Sequence, residues 1–156
     1  MENINKIEID LSKSKDINED YFYGKNVDLI LYGFGNLNIK NVTASKLKIN
    51  LSGKGNICID NCQAEDVDVI LSGSGGINIK GRIVPKLKIN LCGNGYISTE
   101  DYQAENVDAT ISGMGVIKIW VTNSVDGKIF GKGDIFYKGN PKRNISITGA
   151  GEVKPL

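Results

Sequence analysis

The chain has 156 residues, with 19 Lys+Arg against 18 Asp+Glu, so its formal charge of +1 aims no strong field at nucleic acid or an anionic membrane. Histidine is absent, which excludes Ser-His-Asp and Cys-His catalysis and every histidine-ligated metal site. With 22 Ile, 17 Asn, 19 Gly and only 3 Pro, strands and turns are expected rather than a helical bundle, and apolar residues at 40% exclude a disordered chain.

Residues 1–26 come first. Met1 to Asp10 lacks the charged and apolar regions of a secretory leader. No stretch of the chain approaches the ~18 consecutive apolar residues of a membrane span. Three cysteines (Cys58, Cys62, Cys92) are an odd number and read as free thiols. Together these features lead us to expect a cytoplasmic location with no membrane insertion. Leu11 to Ile17 reads as a degenerate copy of the repeat that follows, with Lys13 and Lys15 where later copies carry glycine. An irregular N-terminal coil or cap is expected over 1–26, using Tyr21, Phe22 and Tyr23 with Tyr32 and Phe34.

Residues 27–130 carry a regular repeat. Gly-x-Gly recurs at Gly33/Gly35, Gly53/Gly55, Gly73/Gly75, Gly93/Gly95 and Gly113/Gly115, a period of twenty. On either side of each pair the pattern has period two: Leu47, Ile49 and Leu51 alternate with Lys48 and Asn50, and Ile57 and Ile59 follow. Ala44, Ala64, Val84 and Ala104 mark a second corner. Each copy therefore supplies two short strands and two corners, and a unit this small buries its apolar face only by stacking on its neighbours.

Charges decide between a coil of twenty residues and one of forty. One outward row reads Glu8, Asp28, Lys48, Asp68, Lys88, Asp108; another reads Asp20, Lys40, Asp60, Lys80, Glu100, Trp120, Lys138. Neighbouring rungs of a parallel ladder lie about 4.8 Å apart, where opposite charges help by roughly 0.2–1 kcal/mol per pair and like charges cost as much. Twenty residues per coil alternates the sign; forty would stack Lys48 on Lys88.

Residues 131–156 continue with Gly131/Gly133 and Gly149/Gly151, two residues dropped each time, as C-terminal coils and cap. The expected fold is all-β: a right-handed parallel β-helix, one solenoid domain over 1–156, with about eight coils of about twenty residues and a length of about 40 Å.

Chemistry is sparse. The Gly-x-Gly pairs lack the strand–helix context of a phosphate loop. A calcium solenoid needs aspartates repeated beside the turn, whereas that row reads Asp16, Asn36, Asn56, Gly76, Tyr96, Val116, Asp134. Hexapeptide acyltransferases need a six-residue period and a histidine. Polysaccharide-cleaving β-helices need clustered carboxylates with a cation, but Arg82 and Arg143 stand far apart and Asp60, Asp68 and Glu100 each have a Lys on a neighbouring coil, which keeps an acid ionised. No catalytic residue, cofactor or metal set is expected. Cys92 replaces the serine of Ser52, Ser72 and Ser112, Cys58 and Cys92 lie two coils apart, and no disulfide is expected. Outward aromatics are the one candidate: Trp120 breaks a charged row, Phe130 and Phe136 replace Ser or Asn, and with Met114 they form a candidate interaction patch on the last three coils. A C-terminal cap is the competing role for these residues.

The tail Gly131-Lys-Gly-Asp-Ile-Phe-Tyr-Lys-Gly-Asn-Pro141, then Ile147-Thr-Gly-Ala-Gly-Glu-Val153, resembles the closing signature of the bacterial auto-transporter adhesin head GIN domain family. The units Ser52 to Ile57, Ser72 to Ile77 and Ser112 to Ile117 resemble that family's body, and the likeness covers about 27–156. It implies a right-handed β-helix with an adhesive or scaffolding role, often exported or at the cell surface, and no catalytic residues. The expected function is non-enzymatic binding of a protein or glycan surface. Self-assembly by end-to-end stacking is the first alternative, and a carbohydrate-active enzyme the second.

Overall fold

Strict apolar–polar alternation beside each glycine pair leaves every strand with one face to bury, and the chain buries it by winding. The computed structural model describes residues 7–11, as backbone, and 16–156. The strands are β1 (Ile7–Leu11), β2 (Ile17–Gly33), β3 (Leu37–Leu51), β4 (Asn56–Gln63), β5 (Asp66–Leu71) and β6 (Ser74–Gly81). They continue as β7 (Val84–Leu91), β8 (Asn94–Ile111), β9 (Met114–Ile129), β10 (Lys132–Lys138), β11 (Lys142–Ile147) and β12 (Val153–Pro155). Every pairing among them is parallel, giving a β-solenoid of about seven turns.

The register through the body is twenty residues: Asp28 lies beside Lys48, Lys48 beside Asp68, Asp68 beside Lys88 and Lys88 beside Asp108. From Asn106 onward the offset is eighteen, so Asp108 meets Asp126 and the alternation ends on a like pair. Inward residues stack in columns such as Leu31, Leu51, Leu71, Leu91, Ile111 and Ile129, each buried to 1% exposure or less. Each such side chain contributes roughly 1.5–3 kcal/mol on leaving water.

The glycine corner is where backbone lies directly on backbone. A Cβ on Gly73 would overlap the carbonyl of Gly53, and at Gly75 the same clash with Gly55 joins a φ of +133°. Main-chain hydrogen bonds continue around this bend, Ser72 N to Leu51 O at 3.0 Å and Ser74 N to Gly53 O at 2.9 Å. The asparagines serve beyond turns. Asn38 Nδ2 donates to Asn18 Oδ1 (3.1 Å), Asn56 Nδ2 to Asn36 Oδ1 (3.1 Å) and Asn61 Nδ2 to Asn41 Oδ1 (3.2 Å), amide rungs that tie one coil to the next.

The second corner slips. Cys62 pairs Gly81, Lys80 pairs Asp101 rather than Glu100, and Trp120 pairs Gln103, so the expected row through Lys80, Glu100 and Trp120 breaks there. The physical reason is Tyr102: its ring is fully buried beside the thiol of Cys62, and the side-chain-free Gly81 stands between their coils. The first coil departs too. Glu8 pairs Ile30, an offset of 22, so it does not share a row with Asp28 as the repeat suggests; Lys13 and Lys15 lie outside the described residues. Of Tyr21, Phe22 and Tyr23, only Phe22 turns into the core. At the other end Arg143 occupies a column of Val and Leu, beside Val125, and its Nη1 donates to the Tyr137 hydroxyl at 2.7 Å.

Candidate interaction surface

Outward positions on the last coils hold large side chains because the alternation continues there with aromatics in place of Ser and Asn. Trp120 lies beside Lys138, whose ammonium sits 4.3 Å from the ring centroid, and Phe136 lies beside Lys118 with Lys154 at 5.3 Å. These two share the face that follows the glycine corner. Met114 and Phe130 stand at the corner itself, 52% and 55% exposed, on adjacent coils. The four candidates thus form two neighbouring pairs, aromatics under lysines on the flat face and uncovered apolar groups on the bend.

One feature of this face escapes the repeat pattern. Tyr96, 49% exposed, lies over Gly76 so closely that a Cβ there would come within 2.5 Å of its Cε1 and Cζ. The ring fills the place a side chain at 76 would take, and its other side faces outward. Beside it runs a groove of about 470 Å³ lined by Asn78, Ser98, Glu100, Val116 and Lys118. In sequence, Tyr96 is one member of a mixed row of Asp, Asn, Gly and Val; the missing side chain at Gly76 is what gives it a seat.

Elsewhere the titratable groups look structural. The one inter-coil ion pair among the described residues joins Lys40 to Asp20 at 3.4 Å, both well exposed, and such pairs contribute about 0–1 kcal/mol. Lys48 stands in register between Asp28 and Asp68 without closing to either, and one carboxylate oxygen of each aspartate is buried without a hydrogen bond. Burial pushes the Cys62 thiol up to about 11 and holds the adjacent Tyr102 hydroxyl far above its usual range; both stay protonated. Cys58 is half-buried on the outward face and Cys92 exposed at the glycine corner. Among the described residues no three Cys, Asp or Glu gather as a metal set.

The family model described as "Putative auto-transporter adhesin, head GIN domain" matches residues 2–82 and 28–141. A solved structure of a putative adhesin from Bacteroides fragilis superposes with a TM-score of 0.86 at 21% identity, covering 99% of this chain and 93% of that one. Two proteins of Parabacteroides distasonis are also similar. One, described as a putative lipid binding protein, has a TM-score of 0.80 at 28% identity over 90% of this chain and 57% of that one. The other, a putative adhesin, has a TM-score of 0.76 at 23% identity over 90% and 58%. The chain thus spans somewhat over half the length of those two. No curated protein matches it. Among the described residues no helix is long and apolar enough to cross a membrane. The chain belongs to the head GIN domain family.

Proposed function

We propose, from membership of that family and the outward-facing apolar residues of the last coils, that this chain is a non-enzymatic, adhesin-like binding module. Its contact zone is Met114, Trp120, Phe130 and Phe136, and its partner is a protein or glycan surface outside the cytoplasm. The observation that carries this reading is the run of large apolar side chains on outward columns that hold mainly Ser, Asn or charge in the coils between Ser52 and Ser112. Export follows from the family description, against the cytoplasmic expectation raised by residues 1–10. Lipid binding, the description given to one relative, fits less well: an acyl chain needs an enclosed apolar cavity, while the inward columns here are packed with buried side chains and the grooves at Lys48 and at Tyr96 are open and carry charged residues in their linings.

Flow cytometry of labelled protein on intact epithelial and bacterial cells tests the proposal. Wild type should bind, and a variant carrying Ser at 114, 120, 130 and 136 should not, at an unchanged melting temperature. Equal binding by both, or none by wild type, overturns it.

End-to-end stacking is the second reading, favoured by β11, which leaves Ile145 and Ile147 exposed beside unpaired strand edge among the described residues. Sedimentation that grows with concentration and is abolished by Ile145→Lys supports it; a concentration-independent monomer removes it.

A further inference from the structure

We propose that the groove beside Tyr96 binds a neutral sugar ring; the assignment rests on the adhesive reading above and names the ligand class for the same face. Three observations converge. First, the Tyr96 ring lies over Gly76 with one side against backbone and the other open, a platform held in place by the coil beneath. A pyranose offers a matching surface, its apolar C–H face, which the electron-rich side of an aromatic ring attracts.

Second, the lining is rich in groups that pair hydroxyls: the Asn78 amide donates and accepts, the Ser98 hydroxyl does both, the Glu100 carboxylate accepts and the Lys118 ammonium donates. A sugar edge carries vicinal hydroxyls that both give and take hydrogen bonds. An acyl chain would leave all four groups unpaired, which penalises it. Third, the two charges cancel. Glu100 and Lys118 are the only ionic groups of the lining, so neither a phosphate nor a polyanion finds a net field there. The volume of about 470 Å³ suits one or two rings.

The arrangement does not recur on the coils immediately around it. At the Tyr96 position they carry Asn56, Gly76, Val116 and Asp134. It is a single site in a repetitive body.

An array of immobilised glucose, galactose, mannose, N-acetylglucosamine and their disaccharides identifies binders, and amide-resolved NMR titration locates them. We expect shifts at Asn78, Tyr96, Ser98, Glu100 and Lys118. Tyr96→Ala should weaken binding by about tenfold or more and Tyr96→Phe by little. The nearest atoms a Cβ at 76 would meet are those at the movable end of Tyr96, so Gly76→Ala should displace the ring and weaken binding with the melting temperature kept. A sugar that binds Tyr96→Ala as tightly as wild type overturns the groove. Failure of every sugar, with cell binding intact, overturns the glycan assignment and leaves the contact zone standing. Sugar binding without cell binding leaves the groove and removes the adhesive reading.

Discussion

The two corners of each coil solve the same bend by opposite means. At the glycine corner, main chain rests on main chain, and the hydrogen-bond ladder passes through without interruption from Lys54 to Ala150. At the second corner, side chains fill the turn: Ala44, Ala64, Val84 and Ala104, with Cys62 and Tyr102. The first holds register at every coil of the body, and the second slips by one residue near Gly81 and Asp101 and by two to three near Trp120. Backbone contact admits one residue type and one phase, whereas a side-chain contact adapts to volume. Hence the two residues lost from the C-terminal coils are lost at the second corner, while Lys132 still meets Met114 and Gly133 still meets Gly115.

The sharpest way to break this contrast is one methyl group. Gly73→Ala places a Cβ against the Gly53 carbonyl, a backbone atom that cannot move aside, and should cost roughly 4 kcal/mol or more. Val84→Ala, fully buried at the other corner, should cost roughly 1–3 kcal/mol. Equal loss in chemical denaturation would remove the distinction.

A pH profile probes the second corner next. Buried Cys62 ionises only near pH 11 when folded but at its ordinary value of 9.0 when unfolded. Unfolding therefore releases a proton between those values. Its contribution is whole below pH 9 and falls as pH rises toward 11, by about 2–3 kcal/mol. Cys62→Val should show a flatter decline over that window; superimposable profiles would contradict the burial.

Between the corners the effects shrink. Asp68→Lys sets three lysines in line with Lys48 and Lys88 and should destabilise more than Asp68→Ala, by about 1 kcal/mol. Identical melting temperatures for the two variants would count against the charge ladder. The smallest effect has the opposite sign: Asp126→Lys relieves the like pair with Asp108 and should raise stability by roughly 0.2–1 kcal/mol, read as a higher denaturation midpoint.

This division also explains what the residues disclose unaided. Stacking glycines must recur once per coil, so the period of twenty and its shortening to eighteen, the inward columns and the parallel ladder can be read from Gly33 to Gly151. Slips at the second corner cannot, because they depend on how the bulk of Tyr102 is accommodated beside Gly81. The first coil hides its offset of 22 for a related reason: with lysines in place of glycines, nothing in its sequence fixes the phase. Outward aromatics are visible as breaks in a polar row, which brings Trp120, Phe130, Phe136 and Met114 forward. Tyr96 stays hidden, since its seat is an absent side chain twenty residues earlier, in a glycine that looks like one more corner residue.

The ladder running from coil to coil has a mechanical consequence. Its hydrogen bonds point along the axis, and the described chain enters at one end of the stack and leaves at the other. Tension between those ends therefore loads the rungs one layer at a time, like a zip, instead of shearing them together. A pulled molecule should yield in steps, each freeing a winding of about twenty residues and lengthening the tether by roughly 60–70 Å. A single all-at-once rupture in a force trace would contradict this.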